Sequence, residues 1–313
     1  MSKPKIHIFG EQSYELPDQG EPARLIEDLS IEEYHELGNF KKHGKNGIVS
    51  KTILGEMKCP ALVHWKHFEG GDEGDKDHFN VGNAVHTMAL EPLLFEERFH
   101  IIPEGIKRDK RTEAYKAVIA EAEGRKLITF NDHIKIKGMA KSLTRNRKAM
   151  ALLDAPGKIE PSIIWTDPLT GLRCRTRPDL LRDDGLIVNL KTAASAEPFA
   201  FRKAAFDNHY DMGAAMESEG YRQITGKDPD NYVLLVIEKD EPYIVEAYDA
   251  FRPWDADDMS KTTYHDAGAY RYRVALDKFA ECLKSGDWPG YNDKIMPMGV
   301  PGYAMKQLEQ KED

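Results

Sequence analysis

The chain is poor in cysteine, in long apolar runs and in net positive charge. Its three cysteines, Cys59, Cys174 and Cys282, are scattered over 313 residues. So sparse and odd a set excludes a disulfide framework and fits a reducing compartment, the cytoplasm. No apolar run approaches the roughly 20 residues that a membrane span needs. The opening stretch "MSKPKIHIFGEQSYELPDQG" lacks the apolar core of a secretory signal. A net charge of −9 excludes a surface coated with positive charge. It leaves room for a local basic channel, which is all that an enzyme acting on a polyanion requires.

What is present is the make-up of a globular protein, with 41% hydrophobic and 31% charged residues. Residues 1–45 have mixed polarity and little periodicity, and read as a loosely structured arm or small appended element. Residues 46–313 read as one domain. "GIVSKTILGEMKCPALVHWKHF" has the pattern of a helix capped by Ser50, with Ile53, Leu54, Met57, Leu62 and Trp65 as its stripe. Cys59, His64 and His67 match no zinc spacing and read as ordinary helix residues. "EGGDEGDKD" reads as a mobile glycine-acid loop. A second helix follows over "HFNVGNAVHTMALEPLLFEERF", with Val81, Val85, Met88 and Ala89 at helical spacing. A basic loop then leads into a helix, and residues 131–153 form a longer one.

The character changes after residue 153. "IEPSIIWTD" and "LRCRTRPD" alternate as strands around the turn "PLTG", and "GLIVNLKT" is a third strand. Two helices, the second ending at Gly226, two more strands and a long C-terminal helix complete the order. This predicts an α/β (α+β) domain with a mixed central sheet flanked by helices and a helical N-terminal portion. The strands before and after the helical crossover should pair in parallel.

The stretch "RPDLLRDDGLIVNLKT", residues 177–192, carries the chemistry. Alternation puts Asn189 and Lys191 on one face of a strand, with Val188 and Leu190 on the other. Asp179, at the end of the preceding strand, can approach the same side. Carboxylates hold Mg²⁺, and a nearby lysine can orient water and stabilise developing charge, which is what phosphodiester hydrolysis needs. The bland reading is a turn followed by an amphipathic edge strand. The order of hairpin, strand and helix, with His86 upstream, tells against it.

With these residues in place the sequence resembles the PD-(D/E)XK nucleases, and among them the RecE-type phage and prophage exonucleases (exonuclease VIII). The likeness spans about residues 46–303. It rests on "GNAVHTMALEP", "KRDKRTEAYK", "TGLRCRTRPDLL…IVNLKTA" and "FAECLKSGDWPGY" in that order. The resemblance implies a restriction-endonuclease-like fold and Mg²⁺-dependent digestion of double-stranded DNA from its ends, 5′ to 3′, in phage-type recombination. Two ions would serve the active form, with Mn²⁺ as a substitute. The partners it implies are DNA ends, sister subunits in a ring and a single-strand annealing protein.

It also implies roles. Asp179 is the first metal-binding carboxylate, Asn189 stands in the place of the second, and Lys191 is the catalytic lysine. The Leu190 carbonyl and His86 add ligands, and Glu160 matches an acidic position near the metals. Lys107, Arg108, Lys110 and Arg111 match a basic segment that would hold phosphates. Arg175 and Arg177, alternating beside Asp179, would line the site, touch DNA or pair with its acids. The run Lys135, Lys141, Arg145 and Arg147 reads rather as a solvated helix face.

The sequence departs from the resembled pattern at two places. Asn189 replaces an aspartate of the same shape, losing a charge and one ligating oxygen, an exchange of the kind made to trap a nuclease on its substrate. Gly213 and Glu217 stand where many relatives carry glutamine and tyrosine. Three cysteines cannot supply the four thiolates of an iron–sulfur cluster. The expectation is an exonuclease inactivated or weakened by Asn189. The alternatives are a naturally non-catalytic DNA-binding protein of the same fold, and an unrelated α/β enzyme.

Overall fold

The computed structural model describes residues 7–8, 12–13, 22–71, 80–253, 262–292, 294–302 and 304–305. Most of the glycine-acid loop lies outside the described residues. The strands are β1 (His7–Ile8), β2 (Gln12–Ser13), β3 (Arg24–Ile26), β4 (Phe99–Ile102), β5 (Lys126–Thr129), β6 (Gly157–Ile159), β7 (Ser162–Thr166), β8 (Arg173–Thr176), β9 (Leu180–Arg182), β10 (Leu186–Ala193), β11 (Asn231–Glu238) and β12 (Val245–Asp249). The helices are α1 (Ile31–Glu36), α2 (Phe40–His43), α3 (Lys51–Gly55), α4 (Pro60–His67), α5 (Asn80–Leu90), α6 (Phe95–Arg98), α7 (Glu113–Ala122), α8 (Phe130–Arg145), α9 (Arg147–Leu153), α10 (Pro198–Asp207), α11 (Tyr210–Thr225) and α12 (Tyr264–Ser285).

The central sheet runs β12-β11-β10-β9-β6. β10 and β11 are parallel, joined through α10 and α11, and the other neighbours are antiparallel. Both central strands are apolar enough to be covered on both faces. Val188, Leu190, Leu235 and Ile237 pack against Ala84 and Val85 of α5 and Ile136, Met139 and Leu143 of α8. Ile187, Tyr232, Leu234 and Val236 face the opposite cluster, with Ile53, Phe201, Met212, Met216, Leu276 and Phe279.

The predicted hairpin is present but bent across two sheets. β7 and β8 pair with each other, and β3 joins them in the order β3-β7-β8. β6 and β9 continue the same two arms into the central sheet. The register is unchanged from Ile159↔Leu180 to Ile163↔Thr176, which sets Pro161 across from Pro178. Neither proline has an N–H to give the ladder, so it opens there and the hairpin turns from one sheet into the other. One ladder bond survives at the break, from the Glu160 N–H to the Asp179 carbonyl at 3.0 Å. Glu160 takes a left-handed φ of 46° to make the corner.

Local differences from the sequence reading have physical causes. The expected helix over 47–68 is two, α3 and α4, because Pro60 forces Cys59 out of helical geometry. Ser50 makes no side-chain cap, and Leu62 and Trp65 are exposed while Val63 is buried. The helix expected over 131–153 is also divided, at Asn146. That residue leaves helical geometry, and its side chain accepts the Ala149 N–H to start α9. The parallel pair β4–β5 was not anticipated. Residues 24–45 are built into the domain: β3 pairs with β7, and Phe40 is fully buried in the main core. Among the described residues no helix is long and apolar enough to cross a membrane.

α12 holds α11 against the sheet. Arg271 pairs with the wholly buried Asp211 at 2.7 Å, and Arg273 pairs with Asp167 at 2.8 Å. The helices meet at Gly268, where a Cβ would lie 1.9 Å from the Asp211 carbonyl oxygen. Backbone cannot move aside as a flexible side chain can. Gly268→Ala should therefore force the two helices apart and destabilise the fold by roughly 2–4 kcal/mol. Urea unfolding of the variant against the parent measures this; an unchanged midpoint would show the packing to be looser than described.

Candidate active site

Asp179 emerges at the break in the bent hairpin, just after Pro178. There the open ladder leaves its carboxylate free to meet β10. Its Oδ2 accepts the Leu190 N–H at 2.7 Å and the Lys191 ammonium at 3.2 Å. His86 arrives from α5, on the other face of the sheet, with Nδ1 at 3.5 Å from Oδ1. Burial acts to raise the Asp179 pKa. The His86 and Lys191 charges and the bonds from His86 and Leu190 outweigh it and hold the carboxyl well below its usual range.

The Lys191 ammonium is the meeting point of three oxygens. Besides Asp179 it donates to Asn189 Oδ1 at 2.8 Å and to the Leu190 carbonyl at 3.0 Å. The aromatic face of Tyr210 lies 5.7 Å from it, and Lys51 approaches the same ring at the same distance. Burial, and then the charge of Lys191, lower the Lys51 pKa.

Asn189 has a second contact that the sequence did not suggest. Its Nδ2 donates to Glu217 Oε2 at 2.5 Å, and the Tyr232 hydroxyl donates to the same oxygen at 3.0 Å. All three side chains are buried, at 4% exposure for Asn189, 8% for Glu217 and 1% for Tyr232. Burial pushes the Glu217 pKa up to about 7, with Lys191 opposing and Asp179 reinforcing the shift. Glu217 and Tyr232 were missed as site residues. The available signal was an acid inside the small, apolar run "DMGAAMESEG", because a buried carboxylate requires partners.

Of the residues singled out from the sequence, Asp179, Asn189, Leu190, Lys191 and His86 come together. Glu160 does not bring its carboxylate to them: it faces Arg177 at 3.4 Å, and its contribution is the backbone bond to Asp179. Arg177 also donates to the Leu29 carbonyl and the Ser162 hydroxyl, tying the N-terminal segment to the hairpin. Arg175 was expected to line the site, touch DNA or pair with acids. It is instead 4% exposed, stacked on the Tyr34 ring at 4.3 Å and pressed against Gly38. No phosphate can reach it there. Lys107, Arg108, Lys110 and Arg111 are exposed. Arg111 pairs with Asp109, and Arg108 donates to the Leu127 carbonyl. On α8 and α9, Lys135 and Lys148 pair with Asp240 and Glu246, as a solvated face would.

Among the described residues no group of three His, Cys, Asp or Glu side chains is arranged to hold a metal. The donors that do converge are mixed: one carboxylate, one amide oxygen and one main-chain carbonyl, with an imidazole beside them. Three oxygens already gathered around a cation, here an ammonium, suit a hard divalent ion in chemistry.

A bent hairpin feeding a parallel β-α-β core, with an acid at the bend and a lysine on the next strand, defines the PD-(D/E)XK class of nuclease. The chain belongs to the family described as a PDDEXK-like domain of unknown function, DUF3799, whose model matches residues 50–297. The fold is similar to the crystal structure of a presumed exonuclease from Eubacterium rectale, with a TM-score of 0.56 and 12% identity, over 89% of this chain and 98% of that one. The crystal structure of SSO0001 is more distant, with a TM-score of 0.33 and 13% identity over 77% of this chain and 78% of that one. None of the curated proteins compared matches the chain in sequence.

The raised Glu217 pKa has a consequence for stability. Between the ordinary carboxylate value and about 7 the folded protein holds a proton that the unfolded chain releases. Stability from this group is therefore full below that window and falls as pH rises through it. Glu217→Gln should flatten the fall, by about 1 kcal/mol or more at neutral pH. Urea midpoints for both proteins across pH 4 to 8 test it; parallel curves would show that Glu217 ionises freely.

Proposed function

We propose that this protein is a divalent-cation-dependent exodeoxyribonuclease acting on the ends of double-stranded DNA. The observation that carries the reading is the convergence of Asp179, Asn189 and the Leu190 carbonyl on Lys191 at the break in the hairpin. Supporting it are the family, described as PDDEXK-like after a class of nucleases that generally use divalent metals, and the similar fold of a presumed exonuclease.

Asp179 Oδ1, Asn189 Oδ1 and the Leu190 carbonyl would hold the ion, with His86 at its edge. A bound Mg²⁺ or Mn²⁺ polarises the phosphodiester and lowers the pKa of water. Among the described residues Lys191 is the ammonium that contacts Asp179, placed to donate to a phosphate oxygen or to the attacking water as negative charge builds. Asp179 is ionised throughout the neutral range, because its partners hold it so. The Leu190 N–H fixes its orientation, and the buried sheet behind Leu190 fixes the N–H. Asn189 contributes an oxygen without a charge, so the ion is held more weakly than an aspartate would hold it. The exposed Lys107 and Lys110 are the phosphate-binding candidates of the 107–111 loop. The 5′ to 3′ direction, the recombination role, the ring of subunits and the annealing partner rest on the sequence resemblance alone.

Linear duplex DNA should lose nucleotides from its ends in the presence of Mg²⁺ or Mn²⁺, while covalently closed circles stay intact. Asp179→Ala and Lys191→Ala should each lower the rate by about 100-fold or more. Release of acid-soluble nucleotide from end-labelled DNA is the measurement. Equal rates for Asp179→Ala and the parent would refute the site, and cutting of closed circles would refute the end requirement. Separately, replacing Lys107 and Lys110 together by alanine should weaken duplex binding and reduce the slope of log K against log salt by about 2. An unchanged slope would place the phosphates elsewhere.

A further inference from the structure

The Asn189 position lacks a charge, yet a carboxylate lies in direct contact with it. We propose that Glu217 is the second acid of the cation site: it carries the negative charge absent at residue 189 and holds the Asn189 amide with its oxygen facing the cation position. The proposal rests on the nuclease reading above and deepens it.

An amide has a donating end and an accepting end. Glu217 Oε2 accepts from the Nδ2 end, so the Oδ1 end must turn the other way. That way lies the Lys191 ammonium, and the two bonds, at 2.5 and 2.8 Å, fix the amide at both ends. The phenol of Tyr232 holds Glu217 in turn at 3.0 Å. Strand β10 supplies Asn189, strand β11 supplies Tyr232 and helix α11 supplies Glu217, so the chain of contacts crosses three rigid elements and no loop.

The burial of Glu217 asks for such a role. Among the described residues its hydrogen bonds go to Asn189 and Tyr232, and it makes no ion pair. A carboxylate taken out of water with no cation bonded to it is costly, and the charges of Lys191 and Lys51 act on Glu217 only through space. A divalent ion one amide away would offset that cost and would make the acid worth keeping. Two of the three residues at which the sequence departs from the resembled pattern, Asn189 and Glu217, are thus in contact, and the third is Gly213. An acid lost on the strand is matched by an acid gained on the helix facing it. Glu217 acts here through Asn189 and is a positioning residue.

The test is Mn²⁺ binding to the full chain without DNA, followed by electron paramagnetic resonance at about pH 8, above the value of about 7 to which burial raises Glu217. Four proteins are compared: the parent, Asp179→Ala, Glu217→Gln, and the exchange Asn189→Asp with Glu217→Gln. Glutamine keeps the size and an accepting oxygen at 217 but removes the charge. Glu217→Gln should weaken Mn²⁺ binding about tenfold, the scale found for partners that orient metal ligands. The double variant restores one acid and one amide in contact and should return affinity to within about threefold of the parent. Nuclease rates on linear duplex should follow the same order. Should Glu217→Gln bind Mn²⁺ as the parent does, or the double variant bind no better than Glu217→Gln, the proposal is overturned. If Glu217→Gln does not fold, the double variant decides alone. A parent that binds Mn²⁺ no better than Asp179→Ala overturns the cation reading itself. A parent that exceeds Asp179→Ala but equals Glu217→Gln overturns only the role of Glu217.

Discussion

The ammonium of Lys191 holds the site together. It draws in one carboxylate, one amide oxygen and one main-chain carbonyl, and each comes from a different structural circumstance. Asp179 is available because two opposed prolines interrupt the hairpin beside it. The Leu190 carbonyl is available because it lies one residue before Lys191, whose side chain curls back to it. Asn189 is available because alternation places it on the same face as Lys191. Remove the ammonium and these oxygens repel one another in a half-buried space; replace it by a harder cation and they become ligands.

The second constraint is the buried polar chain of Asn189, Glu217 and Tyr232. It lies where strands β10 and β11 meet helix α11, in a layer filled mostly by aliphatic and aromatic groups. Left unsatisfied, each such group would cost about 1–3 kcal/mol, so the three stand or fall together. This alters how Asn189 is understood. Read alone it is a neutral copy of aspartate and a loss. In the fold it is one end of a hydrogen-bonded pair whose other end is an acid.

α12 serves the site at a distance. Its two arginines reach Asp211 at the start of α11 and Asp167 at the hairpin turn, so one helix fixes both the element that carries Glu217 and the hairpin that carries Asp179. The close approach at Gly268 allows α11 to lie against it. Arg175 and Arg177 have a similar supporting part. They look like site residues in the sequence because they alternate beside Asp179. In the fold they anchor the N-terminal segment through Tyr34 and Leu29, and Arg177 also pairs with Glu160 on the hairpin.

The sequence by itself determined the succession of hairpin, strand, helices and strands after residue 153, the parallel pairing across the crossover and the row of Asp179, Asn189 and Lys191. Those follow from periodicity and turn chemistry, which act over a few residues and are legible in one dimension. It also suggested His86, but only through a resemblance, because nothing local ties a helix histidine to a strand some ninety residues later. Tertiary structure decided the rest. The bend that exposes Asp179 needs Pro161 and Pro178 to face each other, and facing is a property of register. The meeting of Glu217 with Asn189 needs α11 to cross the sheet at one height. The burial of Arg175 needs a ring from residue 34. Each joins residues distant along the chain, and a pattern read along one stretch carries no record of what will pack against it.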